Sequence, residues 1–153
     1  MPLRPYAARP LATSLLALAL LLHPAHGADD NALKALDAAQ KQGVAAFLKR
    51  QGGDGNPPSA DQALVTADGR VLLQWTRYFG NSHASSLSLL ERGPKGWRQA
   101  GQAELVGIVE QVRLDGDTVR VDALTLGPKD PRCCPTVKVV QRFSVASNLK
   151  PMR

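Results

Sequence analysis

From Asp61 to Val145, short runs that alternate apolar and polar side chains are separated by turn signals, and this confines most of the chain to antiparallel sheet. Val71, Leu73, Trp75 and Phe79 fall on one side of a strand read over 71–79, with Tyr78 on the other. The run 136–145 alternates more fully. Val137, Val139, Phe143 and Val145 share one face; Lys138, Val140, Arg142 and Ser144 share the other. Further strands are read over 62–66, 85–91, 104–114 and 118–126. Ala67-Asp68-Gly69-Arg70 carries the Asp-Gly signature of a tight hairpin, and Gly93-Pro94 and Asp115-Gly116 mark two more turns. Half-apolar alternation favours a sheet with one wet face. The expected architecture is α+β: an N-terminal amphipathic helix, then one antiparallel meander sheet of five to seven strands over 61–146, then a C-terminal tail over 147–153.

The helix is expected over 28–50. Asp29, Asp30 and Asn31 supply caps suited to the positive end of the helix dipole. Leu33, Leu36, Val44, Phe47 and Leu48 recur at helical spacing, Lys49 and Arg50 close the last turn, and Gly52-Gly53 stop it. Gly43 weakens its middle. Residues 51–60, with three glycines and two prolines, read as a loop.

Upstream, Arg4 and Arg9 precede an apolar run from Leu11 to Leu22, followed by small residues at Ala25 and Gly27. This is the layout of a signal peptide over 1–27, cleaved near Gly27/Ala28. The run is shorter than the roughly 20 residues a spanning helix needs. With no cysteine near the cleavage point, a lipid anchor is disfavoured. The expectation is a soluble periplasmic or secreted protein with no transmembrane segment after cleavage. Residues 28–153 then form one domain. Without Arg4 and Arg9, 17 of the 19 basic residues remain against 13 acidic ones. They are scattered singly, without the basic stripe or aromatic-basic motif of a nucleic-acid binder.

The only cysteines, Cys133 and Cys134, are adjacent in Gly127-Pro128-Lys129-Asp130-Pro131-Arg132-Cys133-Cys134-Pro135-Thr136. In an oxidising compartment such a pair bridges or is protected. Neighbouring Cα atoms lie about 3.8 Å apart, below the roughly 4.4–6.8 Å of ordinary disulfides, so a Cys133–Cys134 bond closes a strained ring. Pro131 and Pro135 restrict the flanking backbone, and Asp130 before Pro131 initiates a turn. Locking the loop ahead of the last strand is one role for the pair. Thiol exchange is another, although the Cys-x-x-Cys spacing is absent. Reduced Cys133 and Cys134 are also weak candidate ligands for Cu(I), with His83 the one available histidine after cleavage. No other cofactor is suggested.

Trp75, Tyr78 and Trp97 are candidates for a glycan- or peptide-binding surface, although strand alternation separates Trp75 from Tyr78 and argues that part of the set is core. Catalytic constellations are missing. Ser82-His83 lacks a Gly-x-Ser-x-Gly elbow, and Asp115 and Asp117 are explained by their turn.

The segment 101–145, about a third of the chain, resembles a region of uncharacterised exported bacterial proteins. Its marks are Gly127, Pro128, Asp130, Pro131, Cys133, Cys134, Pro135 and Thr136, followed by Val139 and Phe143. The Cys-Cys-Pro-Ser/Thr element is also similar to LppP/LprE-type envelope lipoproteins, whose lipid attachment this chain lacks. Where many members carry an Asp-x-Asp-Gly-Asp-Gly turn, this chain has Thr66-Ala67-Asp68-Gly69-Arg70, which removes most of a calcium loop. The resemblance implies an exported envelope protein and names no reaction.

Together these readings favour a non-enzymatic periplasmic domain that binds a protein or cell-wall component. Thiol-redox or copper handling through Cys133-Cys134, and small-ligand binding by the strand aromatics, are the alternatives.

Overall fold

The computed structural model describes residues 31–53, 55 and 57–153; the signal segment 1–27 and the expected caps Asp29 and Asp30 lie outside the described residues. Among the described residues one helix, α1 (Ala38–Gly52), is followed by eight strands. Four of them, β1 (Ser59–Val65), β2 (Val71–Phe79), β3 (Ser82–Gly93) and β4 (Gly96–Glu104), form one antiparallel sheet in chain order. The other four, β5 (Ile108–Asp115), β6 (Thr118–Thr125), β7 (Val137–Ser144) and β8 (Lys150–Pro151), form a second. The single meander of five to seven strands is therefore corrected to two four-stranded meanders.

The break between them has a local cause. Leu105 still donates its N–H to the Ser85 carbonyl at 2.9 Å, as though extending β4. Two residues later Gly107 turns the chain at a φ of 81°, where a Cβ would stand 2.2 Å from the Leu124 carbonyl oxygen. Only glycine lets the backbone cross here to open the second sheet.

The sheets pack face to face. Leu72, Leu87 and Leu89 from the first meet Val112, Val119, Val121, Phe143, Val145 and Leu149 from the second. Helix α1 covers the other face of the first sheet, with Val44, Phe47 and Leu48 against Ala60, Ala63, Val71, Leu73, Trp75 and Leu90. The first sheet is thus a middle layer, and 71–76 and 85–90 are buried without alternation. The expected wet face is corrected there. It holds for the second sheet, whose outer surface carries Arg113 and Arg120 on Asp122 at 2.6 and 2.9 Å.

The helix starts later than expected. Asp37 accepts from the Gln40 N–H at 2.7 Å while Gln40 accepts from the Asp37 N–H at 2.9 Å, a capping box that sets the first turn at Ala38. Leu33 and Leu36 precede the helix yet remain buried in its core. The expected loop 51–60 gives its first two residues to α1 and its last two to β1. The expected tail 147–153 is in part β8, which pairs Ser144 with Lys150 and Phe143 with Pro151. Asn148 and Leu149, both at positive φ, make the reversal, and buried Leu149 anchors it in the core.

Gly43 faces the Trp97 ring, and a Cβ there would lie 2.4–2.7 Å from ring atoms. Helix propensity favours alanine over glycine by about 1 kcal/mol; overpacking typically costs about 1–3 kcal/mol. Packing wins, so Gly43→Ala should lower stability in urea unfolding, and the same substitution made in a Trp97→Leu background should raise it.

Candidate functional site

In two up-and-down sheets, alternate connections gather at one end. The entry to β1, the Gly80–Asn81 turn, the 105–107 link and the cysteine loop share one end. At the opposite end Arg70 ties the layers together, donating to the Val145 carbonyl at 3.4 Å from a turn in which it also pairs with Asp68 at 2.7 Å.

Along the inter-sheet face of β2 and β3 the paired residues change character toward the first end. Leu72 lies opposite Leu89, Gln74 opposite Leu87, Thr76 opposite Ser85, and Tyr78 opposite His83. The apolar core therefore gives way to a polar cleft of about 480 Å³, walled on the far side by Ile108, Val109 and Glu110.

A bulge in β1 aims a carboxylate toward it. The β1–β2 register slips between Ala60 and Gln62. Ala60 and Ala63 both reach the helix-side core, so Asp61 and Gln62 turn together to the inter-sheet side. Gln62 spans the layers, donating to the Val112 carbonyl at 2.9 Å and accepting from the Val112 N–H at 3.3 Å. A matching slip between Val109 and Gln111 leaves Glu110 unpaired in β5. Val109 and Val112 both reach the inter-sheet core, so Glu110 borders the cleft but turns with Gln111 toward the outer face, where both line a groove with Arg113, Arg120 and Lys138.

Asp61 Oδ2 accepts from Gln74 Nε2 at 2.8 Å and from Thr76 Oγ1 at 2.6 Å. Thr76 Oγ1 lies 2.8 Å from Ser85 Oγ. A threonine hydroxyl has one proton. Since Thr76 gives its proton to Asp61, Ser85 must donate to Thr76, and the chain runs Ser85 to Thr76 to Asp61. Asp61 keeps an exposed flank, but its carboxyl sits among these groups and loses enough water to raise its pKa above 3.8. The Thr76 hydrogen bond and the nearby His83 oppose that rise without cancelling it. At the mouth the Tyr78 ring, 68 % exposed, lies 6.2 Å from the His83 ring.

The aromatic candidates divide between the two faces. Trp75 is buried under α1, edge-on to Phe47 at 5.9 Å, with Nε1 donating to Ser88 Oγ at 3.0 Å. Trp97 packs half-buried on the same cluster. Tyr78 alone reaches the cleft, because residues an odd number apart on a strand face opposite ways. Arg77 lies 5.7 Å from the Trp75 ring and 5.9 Å from the Phe79 ring, and donates to the Gln51 carbonyl in the last turn of α1.

Cys133 and Cys134 are joined in an exposed loop and do not line the cleft. Asp130 holds that loop by both ends. It accepts from the Gly127 N–H at 2.8 Å, the Thr136 N–H at 2.7 Å and Thr136 Oγ1 at 2.9 Å. The Gly127 N–H foremost, then that of Thr136, hold its pKa below 3.8. Pro131 accepts from the Cys134 N–H at 3.0 Å, and Pro135 is half-buried. Among the described residues no three His, Cys, Asp or Glu side chains assemble into a metal-binding group, so His83 and the cysteine pair are not gathered into one. No described helix is long and apolar enough to cross a membrane.

Asp61, Gln74, Thr76, Ser85 and Glu110 were not singled out from the sequence. The available signal was polar residues inside strands β2 and β3, at positions where alternation places a buried face. Comparison with family models, curated proteins and solved structures finds no match to this chain.

The two aspartates titrate with opposite sign. A raised carboxyl pKa binds protons more tightly in the folded state, so Asp61 takes stability away as pH rises from 3.8 through its folded value. Asp130 contributes stability above 3.8 that is lost as pH falls through its lowered value. Carboxyl NMR should find Asp61 above and Asp130 below 3.8. Thr76→Val should push Asp61 higher still, by removing a hydrogen bond to its charged form. Asp130→Asn should speed amide exchange at Gly127 and Thr136 while leaving the cleft amides unchanged.

Proposed function

We propose that this chain is an exported, non-enzymatic binding domain that holds a component of the cell envelope, a peptide or glycan, at the open end of its two sheets. The observation that carries this reading is the polar cleft between the sheets, beginning where the apolar core stops. Concave sites with a few convergent polar groups on a rigid scaffold are where small ligands bind.

The surroundings of the cleft support the same reading. Tyr78, Phe79, Val106, Ile108, Leu126 and Val137 are exposed large apolar side chains, and their strand positions bring them to this one end. Apolar surface concentrated around a polar recess suits a partner better than bulk water. The hydrogen-bonded chain through Asp61 ends at Ser85 without a histidine acting as base on the serine. The signal-like segment and the resemblance of 101–145 to exported envelope proteins direct the choice of ligand toward the envelope.

The exposed, bridged cysteine pair supports a second reading, thiol exchange or Cu(I) binding after reduction. It predicts stoichiometric copper binding by the reduced protein, lost on double replacement by serine. A titration showing no copper uptake removes it.

For the main reading, amide NMR with envelope peptide and glycan fragments should move the signals of Thr76, Tyr78, His83 and Ser85 together. Tryptophan fluorescence should respond little, since Trp75 and Trp97 lie on the other face of the sheet. Shifts confined to the cysteine loop, or a turnover activity abolished by one cleft substitution, would replace this reading with another.

A further inference from the structure

The groups lining the cleft differ in what they still have to give. Gln74 donates to Asp61, Thr76 donates to Asp61, and Ser85 donates to Thr76. Gln62 spends both ends of its amide on Val112. The two hydroxyl protons are therefore committed within the protein, each glutamine amide keeps one further N–H, and more acceptor capacity remains. A carboxylate has about four acceptor sites, and Asp61 uses two of them in these bonds.

The charge of the lining points the same way. The chain carries 19 Lys and Arg against 13 Asp and Glu, yet no Lys or Arg lines this cleft. Its charged groups are Asp61, His83 at the mouth, and at its edge Glu110, which also lines an outer groove with Arg113, Arg120 and Lys138. Lys34 lines an adjoining groove that shares Asp61 and Gln62, outside the cleft itself. An anionic ligand would meet the Asp61 carboxylate and no fixed cation within the cleft. A ligand made mainly of acceptors would find the Thr76 and Ser85 protons already engaged. An ammonium group has three donors and no acceptor, and it complements both the charge and the hydrogen-bonding imbalance. The exposed Tyr78 ring offers a face to a cation or to the ligand's carbon frame. Ile108 and Val109 supply an apolar wall beside Glu110.

We infer that the cleft recognises a protonated primary amine carried on a sugar or a peptide side chain, with Asp61 as its acceptor and Tyr78 as its contact at the mouth. This rests on the reading of the cleft as the binding site, and it names the group that is read there.

The test is calorimetric titration of the full chain, after any signal cleavage, with four probes: glucosamine, N-acetylglucosamine, Nα-acetyl-lysine amide and its Nε-acetyl form. Both free amines should bind, and acetylation should weaken each at least tenfold. Asp61→Asn should weaken the free amines at least tenfold with unchanged circular dichroism. Should Asp61→Asn fail to fold, Tyr78→Ala, at an exposed position on the mouth of the cleft, should still weaken them severalfold. Acetylated and free forms binding equally at the cleft would overturn the amine inference and leave the binding-site reading standing. Inorganic phosphate displacing the amines from the cleft, or no binding by any of the four probes, would also overturn it. The NMR mapping with envelope fragments judges the binding-site reading separately.

Discussion

The first sheet is covered on both faces, and the rest of the molecule follows from that coverage. Helix α1 occupies one face through Val44, Phe47 and Leu48, and the second sheet occupies the other through Val119, Val121 and Phe143. Each fully buried side chain of this size contributes about 1.5–3 kcal/mol, so the layers are held mainly by the apolar rows at their centre. Where the rows end, polar side chains take over, and buried polar groups must find hydrogen-bond partners. Gln74, Thr76 and Ser85 find theirs through Asp61, and Trp75 finds one in Ser88. None of the described buried side-chain polar atoms lacks a partner.

The bulge at Asp61 connects packing to chemistry. A regular β1 would place Asp61 opposite in facing to Ala60 and Gln62 alike. The inserted residue lets Asp61 and Gln62 face the same way, one to the cleft and one across to β5. The Gln62 amide closes the gap between layers with two bonds to Val112, which fixes the distance between the walls. The result is a rigid frame around a carboxyl that desolvation lifts above its ordinary pKa.

The cysteine loop stands apart from this arrangement. Its order comes from Asp130, which ties Gly127 to Thr136 and so closes the loop at its base before the sulfurs are considered. An Asp before Pro131 reads as a turn former in sequence, and it proves to be the loop's main hydrogen-bond acceptor. The pair most conspicuous in the sequence thus occupies an exposed tip, while the cleft is assembled from residues that look ordinary one at a time.

Local chemistry determined much of this fold by itself. The turns at Asp68-Gly69, Pro94-Lys95 and Asp115-Gly116 appear where Gly and Asp permit them. Leu33, Leu36, Val44, Phe47 and Leu48 are all buried, as their spacing implies, even though the first two precede the helix. Alternation correctly separated Trp75 from Tyr78. Tertiary structure decided what local pattern cannot carry. Alternation says which side chains share a face, but not whether that face meets water, a helix or another sheet. Leu72, Gln74 and Thr76 read as a wet face until the second sheet covers them. The division into two sheets depends on one close approach, Gly107 against Leu124, between residues distant in sequence. The cleft depends on the β1 bulge facing β5 across that divide, and its residues come from β1, β2, β3 and β5. A site whose parts are related only through packing leaves no periodic trace in the chain, because each residue satisfies its own strand's pattern and only long-range contact brings them together.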